Sequence, residues 1–207
     1  MTPSEEHVCF YSELGGAISQ WAHVEIGLYW IALRAIDIKK SKIIGPSFFA
    51  IENFRSKIAF VDAAFQAEFG DGKFAEEWAD LRDKIIALST TRNHLVHYAV
   101  LVIPNAKPGR RYALHPRISK PGDIKTKISP SAAPSPPVGS LFVRDIYRAA
   151  RQFSSASNRL LNLWYLLGGG EAFFPEDALK DKPAPQVAQL ARQIRAMLSP
   201  VVKSSRA

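Results

Sequence analysis

One short stretch of the chain, STTRNHLVHYAV at residues 89–100, concentrates its reactive side chains. Arg92 is followed directly by Asn93 and, four residues further on, by His97. A guanidinium can bind a phosphate through paired hydrogen bonds, and histidine is the side chain best suited to proton transfer at neutral pH. On a helix Asn93 and His97 lie about 40° apart, and a frayed helix end would let Arg92 converge with His97 on a phosphate. The stretch therefore predicts acid–base chemistry on a phosphate.

The same stretch allows a second interpretation, because His94 and His97 are three residues apart and could both ligate a metal. Two histidines without a nearby carboxylate are an incomplete zinc site. We therefore expect no metal there.

The elements that carry these residues are predicted to be helices. Apolar residues recur at steps of three and four over residues 4–37, 48–69, 73–97 and 140–167, which is typical of amphipathic helices. KKSKIIGPS predicts a turn before the second helix, and YAVLVIP and RRYALHPRI predict a hairpin. The sequence thus favours an all-α bundle of four to five helices over residues 1–170. We expect residues 103–139 to hold a hairpin and a basic Pro/Ser-rich loop inserted before the last long helix, and residues 171–207 to be a tail with a short amphipathic helix.

Two charged residues fall on apolar stripes. In the first helix Glu25 interrupts a series of positions that we expect to face the core. In the third helix the inward-facing series continues after Leu88 with Arg92, Leu95 and Ala99. The first series consists of Tyr11, Leu14, Ile18, Trp21, Leu28, Ala32 and Ala35. Because a lone buried charge is costly, we expect Glu25 to pair with Arg92, either as a structural pair or to orient the arginine.

Charge is distributed unevenly along the chain. Of 27 basic and 19 acidic residues, residues 105–207 hold 17 and 6, which leaves 10 and 13 for residues 1–104. A basic half suits a polyanionic partner, although it can also serve solubility alone. The single cysteine excludes an intrachain disulfide. No signal or membrane segment is apparent, so we expect a cytoplasmic protein.

The segment LSTTRNHLVHY resembles the signature of the HEPN superfamily. That signature places an arginine, a polar residue and then a histidine, four to six residues after the arginine, at the end of a long helix. Arg92, Asn93 and His97 match it, and the predicted helical layout of residues 5–167 is similar to the family's bundle.

The resemblance implies a metal-independent endoribonuclease that works as a homodimer with a composite cleft. His97 would act as general acid or base while a ribose 2′-OH attacks the adjacent phosphate, Arg92 would stabilise the developing charge, and Asn93 would orient both. No cofactor is implied. If RNA is the substrate, basic residues near the insertion are candidate contacts: Arg110, Arg111, Arg117 and Lys120. Many family members are toxins or defence proteins, so a neutralising antitoxin is a plausible partner.

The alternative is a helical interaction or nucleic-acid-binding module. In that interpretation the motif residues form a structural pair, and the basic half binds a partner or nucleic acid without cutting it.

Overall fold

The computed structural model describes residues 2–37, 41–103, 106–116 and 139–169. In these ranges the elements are α1 (Pro3–Ile36), α2 (Ser41–Ala50), α3 (Phe54–Phe69), α4 (Ala75–His97), β1 (Ala99–Val102), β2 (Tyr112–His115) and α5 (Val143–Leu166). The predicted all-α bundle with a small hairpin before the last long helix is confirmed. Residues 117–138, which include Arg117, Lys120 and most of the predicted Pro/Ser-rich loop, and the predicted tail over residues 171–207 lie outside the described residues. No helix in the described ranges combines the length and the apolar character needed to cross a bilayer.

Helix α1 is capped two residues before its predicted start at Ser4. Thr2 is the N-cap: its hydroxyl accepts the Glu5 N–H at 3.2 Å, and the Glu5 carboxylate accepts the Thr2 N–H at 2.7 Å. The hydrogen bond from the Thr2 backbone lowers the pKa of Glu5, since it stabilises the charged carboxylate. The reciprocal pair satisfies two N–H groups that the helix itself cannot.

The buried stripe of α1 is rotated from the predicted one. Tyr11 and Ile18 were expected in the core, yet they are exposed, and Phe10 and Ala17 beside them are buried. The predicted face was wrong because apolar residues occupy two adjacent faces of this helix, and periodicity does not tell which face α5 covers. The core side of α1 consists of Phe10, Ala17, Trp21, Val24, Leu28, Ile31, Ala32 and Ala35.

Helices α1 and α5 pack side by side and run in the same direction. Ring contacts join Trp21 to Phe153 and Trp30 to Trp164, with centroids 5.1 and 5.5 Å apart. Between them, a Cβ placed on Gly27 would lie 2.9 Å from Leu160, so only glycine allows the two backbones this close.

Helices α2 and α3 divide a region that was predicted as a turn followed by one helix. The predicted turn at KKSKIIGPS was wrong, because Ser41–Ala50 is helical and includes Pro46. Ile44 and Phe48 are buried, so core contacts favour the helix despite the hydrogen bond that proline removes. Asn53 then starts α3 by accepting the Arg55 and Ser56 N–H groups at 2.8 and 3.3 Å.

The stripe of α4 is buried as predicted, from Trp78 through Leu81, Ile85 and Leu88 to Leu95. The expectation for Ala99 was wrong, because the helix ends at His97 and the backbone becomes extended at Tyr98, so Ala99 begins β1 and is exposed. At its other end α4 is tied to α3, where Asp62 accepts from Trp78 Nε1 at 2.8 Å and from Arg82 Nη1 at 3.1 Å.

The hairpin that follows α4 is fixed to α1 by a buried carboxylate. β1 and β2 pair antiparallel, from Ala99 opposite His115 to Val102 opposite Tyr112. Glu6, only 1% exposed, accepts the Arg111 N–H at 2.8 Å, and Arg111 Nη1 lies 3.5 Å from its second oxygen. This 3.5 Å contact is an ion pair without hydrogen-bond geometry, so the backbone bond is the stronger link.

We expect Glu6→Ala to lower the free energy of unfolding by about 1–3 kcal/mol, because it leaves the Arg111 amide and guanidinium without their acceptor in a buried place. Urea unfolding measures this. Glu68→Ala, which removes an exposed glutamate of α3, should change stability by less than about 0.5 kcal/mol. Equal effects of the two substitutions would contradict the role given to Glu6.

Candidate functional site

The three motif residues lie on the last two turns of α4, at its C-terminal end. Arg92 is half-buried, whereas Asn93 and His97 are exposed. Arg92 Nη1 donates to Asn93 Oδ1 at 3.1 Å, in a hydrogen bond that is exposed to solvent. The structure therefore brings the side chains of these two residues together.

His97 does not join them within one chain. The helix does not fray before His97, so His97 lies five residue steps along a regular helix from Arg92. At about 100° and 1.5 Å per residue, the two side chains leave the helix about 140° apart and about 7.5 Å apart along its axis. The expected convergence of Arg92 and His97 at a frayed end is therefore wrong for a single chain. A site that uses both needs another element to bring them to one phosphate.

His94 packs against the neighbouring tyrosine. Its ring stacks on Tyr98 with centroids 4.6 Å apart. Among the residues that the structure describes, no three His, Cys, Asp or Glu side chains are grouped so as to hold a metal ion.

Arg92 lies at the edge of an open groove of about 340 Å³ between α1, α2 and α4. The groove is mainly apolar, and several of its side chains are unusually exposed for their size: Ile18 at 42%, Phe49 at 53% and Val96 at 42%. The remaining lining consists of Trp21, Ala22, Glu25 and Ile26. The arginine of the motif therefore borders an apolar surface that is open to solvent in the single chain.

This groove continues along α1 as an exposed stripe, which we call the α1 apolar stripe: Tyr11, Gly15, Ile18, Ala22 and Ile26. Their spacing of three and four residues places them on one face, next to the buried face. Sequence reasoning assigned Tyr11 and Ile18 to the core and so missed this surface. A second apolar face on the same helix was the signal that could have revealed it.

Glu25 does not pair with Arg92. Although both line the groove, the Glu25 carboxylate accepts from Lys57 Nζ at 2.7 Å and from Trp21 Nε1 at 2.9 Å, and no ion pair joins it to Arg92. The expectation was wrong because α3 runs in the same direction as α1 and so places Lys57 opposite Glu25. Glu25 also lies beside the core stripe, next to buried Val24, and does not interrupt it. Lys57 was missed, although its place next to Ile58 put it at the margin of the apolar face of α3.

Two of the basic residues predicted to bind RNA lie in the described hairpin region. Arg110 is exposed, with its guanidinium 5.6 Å from the Phe142 ring centroid. Arg111 contacts Glu6 and so has a structural role. RNA binding by either residue stays a prediction, and Arg117 and Lys120 lie outside the described residues.

Comparisons with protein-family models, curated proteins and solved structures find no match for this chain. Any assignment of function therefore depends on the residues and their arrangement.

We expect a double-mutant cycle to show that Glu25 is coupled to Lys57 and not to Arg92. Glu25→Gln and Lys57→Met should each destabilise the fold, and the double variant should lose about 1 kcal/mol less than the sum, because each single change leaves an unpaired, largely buried charge. Combined with Arg92→Met, Glu25→Gln should be additive within about 0.5 kcal/mol. Thermal unfolding of the variants provides the values. Coupling of Glu25 to Arg92 instead would contradict this account and support the pair that the sequence predicted.

Proposed function

We propose that the protein is a metal-independent endoribonuclease of HEPN type, active as a homodimer. The observation that carries the proposal is the placement of Arg92, hydrogen-bonded to Asn93, and of an exposed His97 on the last turns of a long helix in an all-helical bundle. This is the arrangement of residues that the resemblance to the HEPN signature implies. A toxin or defence role, with a neutralising protein partner, follows from the same resemblance and is part of the proposal.

His97 supplies the proton chemistry of the proposed reaction. As a general base it removes the proton of a ribose 2′-OH, and the 2′ oxygen attacks the adjacent phosphorus. The P–O5′ bond breaks, the leaving 5′ oxygen takes a proton from a general acid, and the products are a 2′,3′-cyclic phosphate and a 5′-OH. Arg92 donates to the phosphoryl oxygens as their charge increases, and Asn93 keeps the guanidinium in place. The reaction needs no net oxidant, reductant or metal.

A second copy of the chain completes the site. Because Arg92 and His97 of one α4 diverge by about 140°, a two-fold axis near the end of α4 is the simplest way to bring Arg92 of one copy and His97 of the other to one phosphate. The groove at Arg92 and the α1 apolar stripe offer a surface for this contact, since exposed apolar patches rimmed by polar groups mark interaction sites. The proposed interface is therefore continuous with the proposed site.

A module that binds nucleic acid without cutting it is the second candidate. The divergence of Arg92 and His97 within one chain favours it, because a monomer with this geometry has no complete site.

We expect the wild-type protein to cleave single-stranded RNA in the presence of EDTA and to leave 2′,3′-cyclic phosphate ends. His97→Ala should lower the rate by at least about 100-fold, because it removes the general base or acid. A DNA strand of the same sequence should stay intact, since it lacks the attacking 2′-OH. Gel separation of end-labelled RNA, with chemical identification of the ends, measures all three results.

His94→Ala is the matched control, since His94 lies one turn before His97 and stacks on Tyr98. It should retain cleavage. RNA that stays intact with the wild-type protein, or equal cleavage by wild type and His97→Ala, would favour the binding module.

We expect the wild type to have a dimer mass at micromolar concentration, and Ile18→Glu to have a monomer mass and lose cleavage. Ile18 is 42% exposed in the single chain, so a charge there is tolerated by the fold but not by an apolar contact between copies. Leu166→Glu, at an exposed site of α5 away from the groove, should remain a dimer. Light scattering measures the masses. A monomeric wild type that still cleaves RNA would contradict the composite site.

A further inference from the structure

A second groove, between α4 and α5, carries a dense set of cations that the proposed reaction does not use. It has a volume of about 440 Å³ and is lined mainly by polar and basic side chains. We call it the cationic groove, and its main residues are Lys84 of α4 and Arg144, Tyr147, Arg148, Arg151 and Ser155 of α5.

The spacing on α5 aligns these cations. Arg144, Arg148, Arg151 and Ser155 follow steps of four, three and four residues, so they share one face, and the three guanidinium groups extend over about 10 Å of helix. All four side chains are exposed. Lys84 faces them from α4, which makes the groove cationic on both sides.

Acidic side chains neutralise little of this charge. Asp145 lies 3.7 Å from Arg148, an exposed i,i+3 pair of small energetic weight. For Lys84, Arg144 and Arg151 there is no ion pair with any residue in the described ranges. Several like charges without counter-charges repel one another, so the groove favours an anionic ligand.

Tyr147 narrows the choice of ligand. It lies among the arginines and is 40% exposed, so part of its ring faces the groove. Cationic side chains interleaved with an exposed aromatic ring are the arrangement with which proteins bind single-stranded nucleic acid, because phosphates pair with the cations and bases stack on the ring. An acidic protein segment would pair with the cations but has no base to stack on the ring.

The groove also points towards the motif. Asp80 of α4 forms an ion pair with Arg159 of α5 at 2.8 Å. Lys84, one turn later on α4, lines the groove with residues that come earlier on α5. The two helices therefore run antiparallel. The start of α5 therefore lies near the end of α4, and the pairing of Leu141 with Leu114 of the hairpin agrees with this direction. A strand held in the groove would extend along α4 towards its motif-bearing C-terminal end.

We propose that the cationic groove binds the backbone of single-stranded RNA and leads it to the motif end of α4. The choice of RNA rests on the proposed ribonuclease function. Arg144, Arg148, Arg151 and Lys84 hold the phosphates, and Tyr147 stacks on a base.

The test measures the anisotropy of a fluorescent single-stranded RNA of about 16 nucleotides, long enough to fill such a groove, in EDTA and across a salt series. All proteins carry His97→Ala, so the RNA stays intact. The variant Arg144→Gln/Arg148→Gln/Arg151→Gln should bind at least about 10-fold more weakly at low salt. Its slope of log affinity against log salt should fall by about 2, since each lost phosphate contact removes about 0.7. Tyr147→Leu should weaken binding about 5-fold or more for single-stranded RNA and much less for duplex RNA.

The matched control is Lys42→Gln/Arg55→Gln/Lys73→Gln, which removes the same charge from exposed positions outside α4 and α5 and should bind as the parent does. If the arginine variant and the control bind alike, the groove does not hold RNA. If polyglutamate displaces the RNA as well as unlabelled RNA does and Tyr147→Leu has no effect, the groove is specific for acidic protein and the proposal is overturned. Failure of the proposed ribonuclease function would give a different result. The groove variants would still change RNA binding, but the wild-type protein, with His97 intact, would not cut the RNA.

Discussion

The parallel packing of α1 against α5 is the contact on which the rest of the structure depends. Gly27 permits the close approach, and the rings of Trp21 and Phe153 lie to one side of it. A larger residue at Gly27 would separate the helices and open the largest continuous part of the core, where buried apolar side chains are each worth about 1.5–3 kcal/mol. Helix α4 packs antiparallel to α5 and is positioned by this pair, so its motif-bearing end reaches the surface beside the hairpin.

Helical regularity then limits what the end of α4 can do. Because α4 remains helical to His97, Arg92 faces the groove by α1 while His97 faces away from it. A single chain thus presents an arginine hydrogen-bonded to Asn93, an apolar groove and a separate histidine, and pairing of two copies would combine them. The cationic groove lies between α4 and α5, whereas the groove at Arg92 lies between α1, α2 and α4, so dimer contact and RNA binding would use different grooves.

Local patterns were enough to predict α1, α4, α5, the hairpin and the buried stripe of α4, because spacing and turn residues determine them. They were not enough for contacts between elements. The partner of Glu25 depends on the direction of α3, which brings Lys57 within 2.7 Å. The inward face of α1 depends on which of two apolar faces α5 covers, so Tyr11 and Ile18 were misplaced. KKSKIIGPS was predicted as a turn, yet Ser41–Ala50 is a helix in which Phe48 is buried.

Mixing two inactive variants tests the composite site most directly. Arg92→Ala and His97→Ala proteins, each inactive alone, are unfolded together, refolded and assayed for RNA cleavage. We expect the mixture to recover about a quarter of wild-type activity, because random pairing makes half of the dimers mixed and each mixed dimer holds one complete site. A mixture that stays as inactive as its components, beside an active refolded wild type, would show that Arg92 and His97 do not act from different copies.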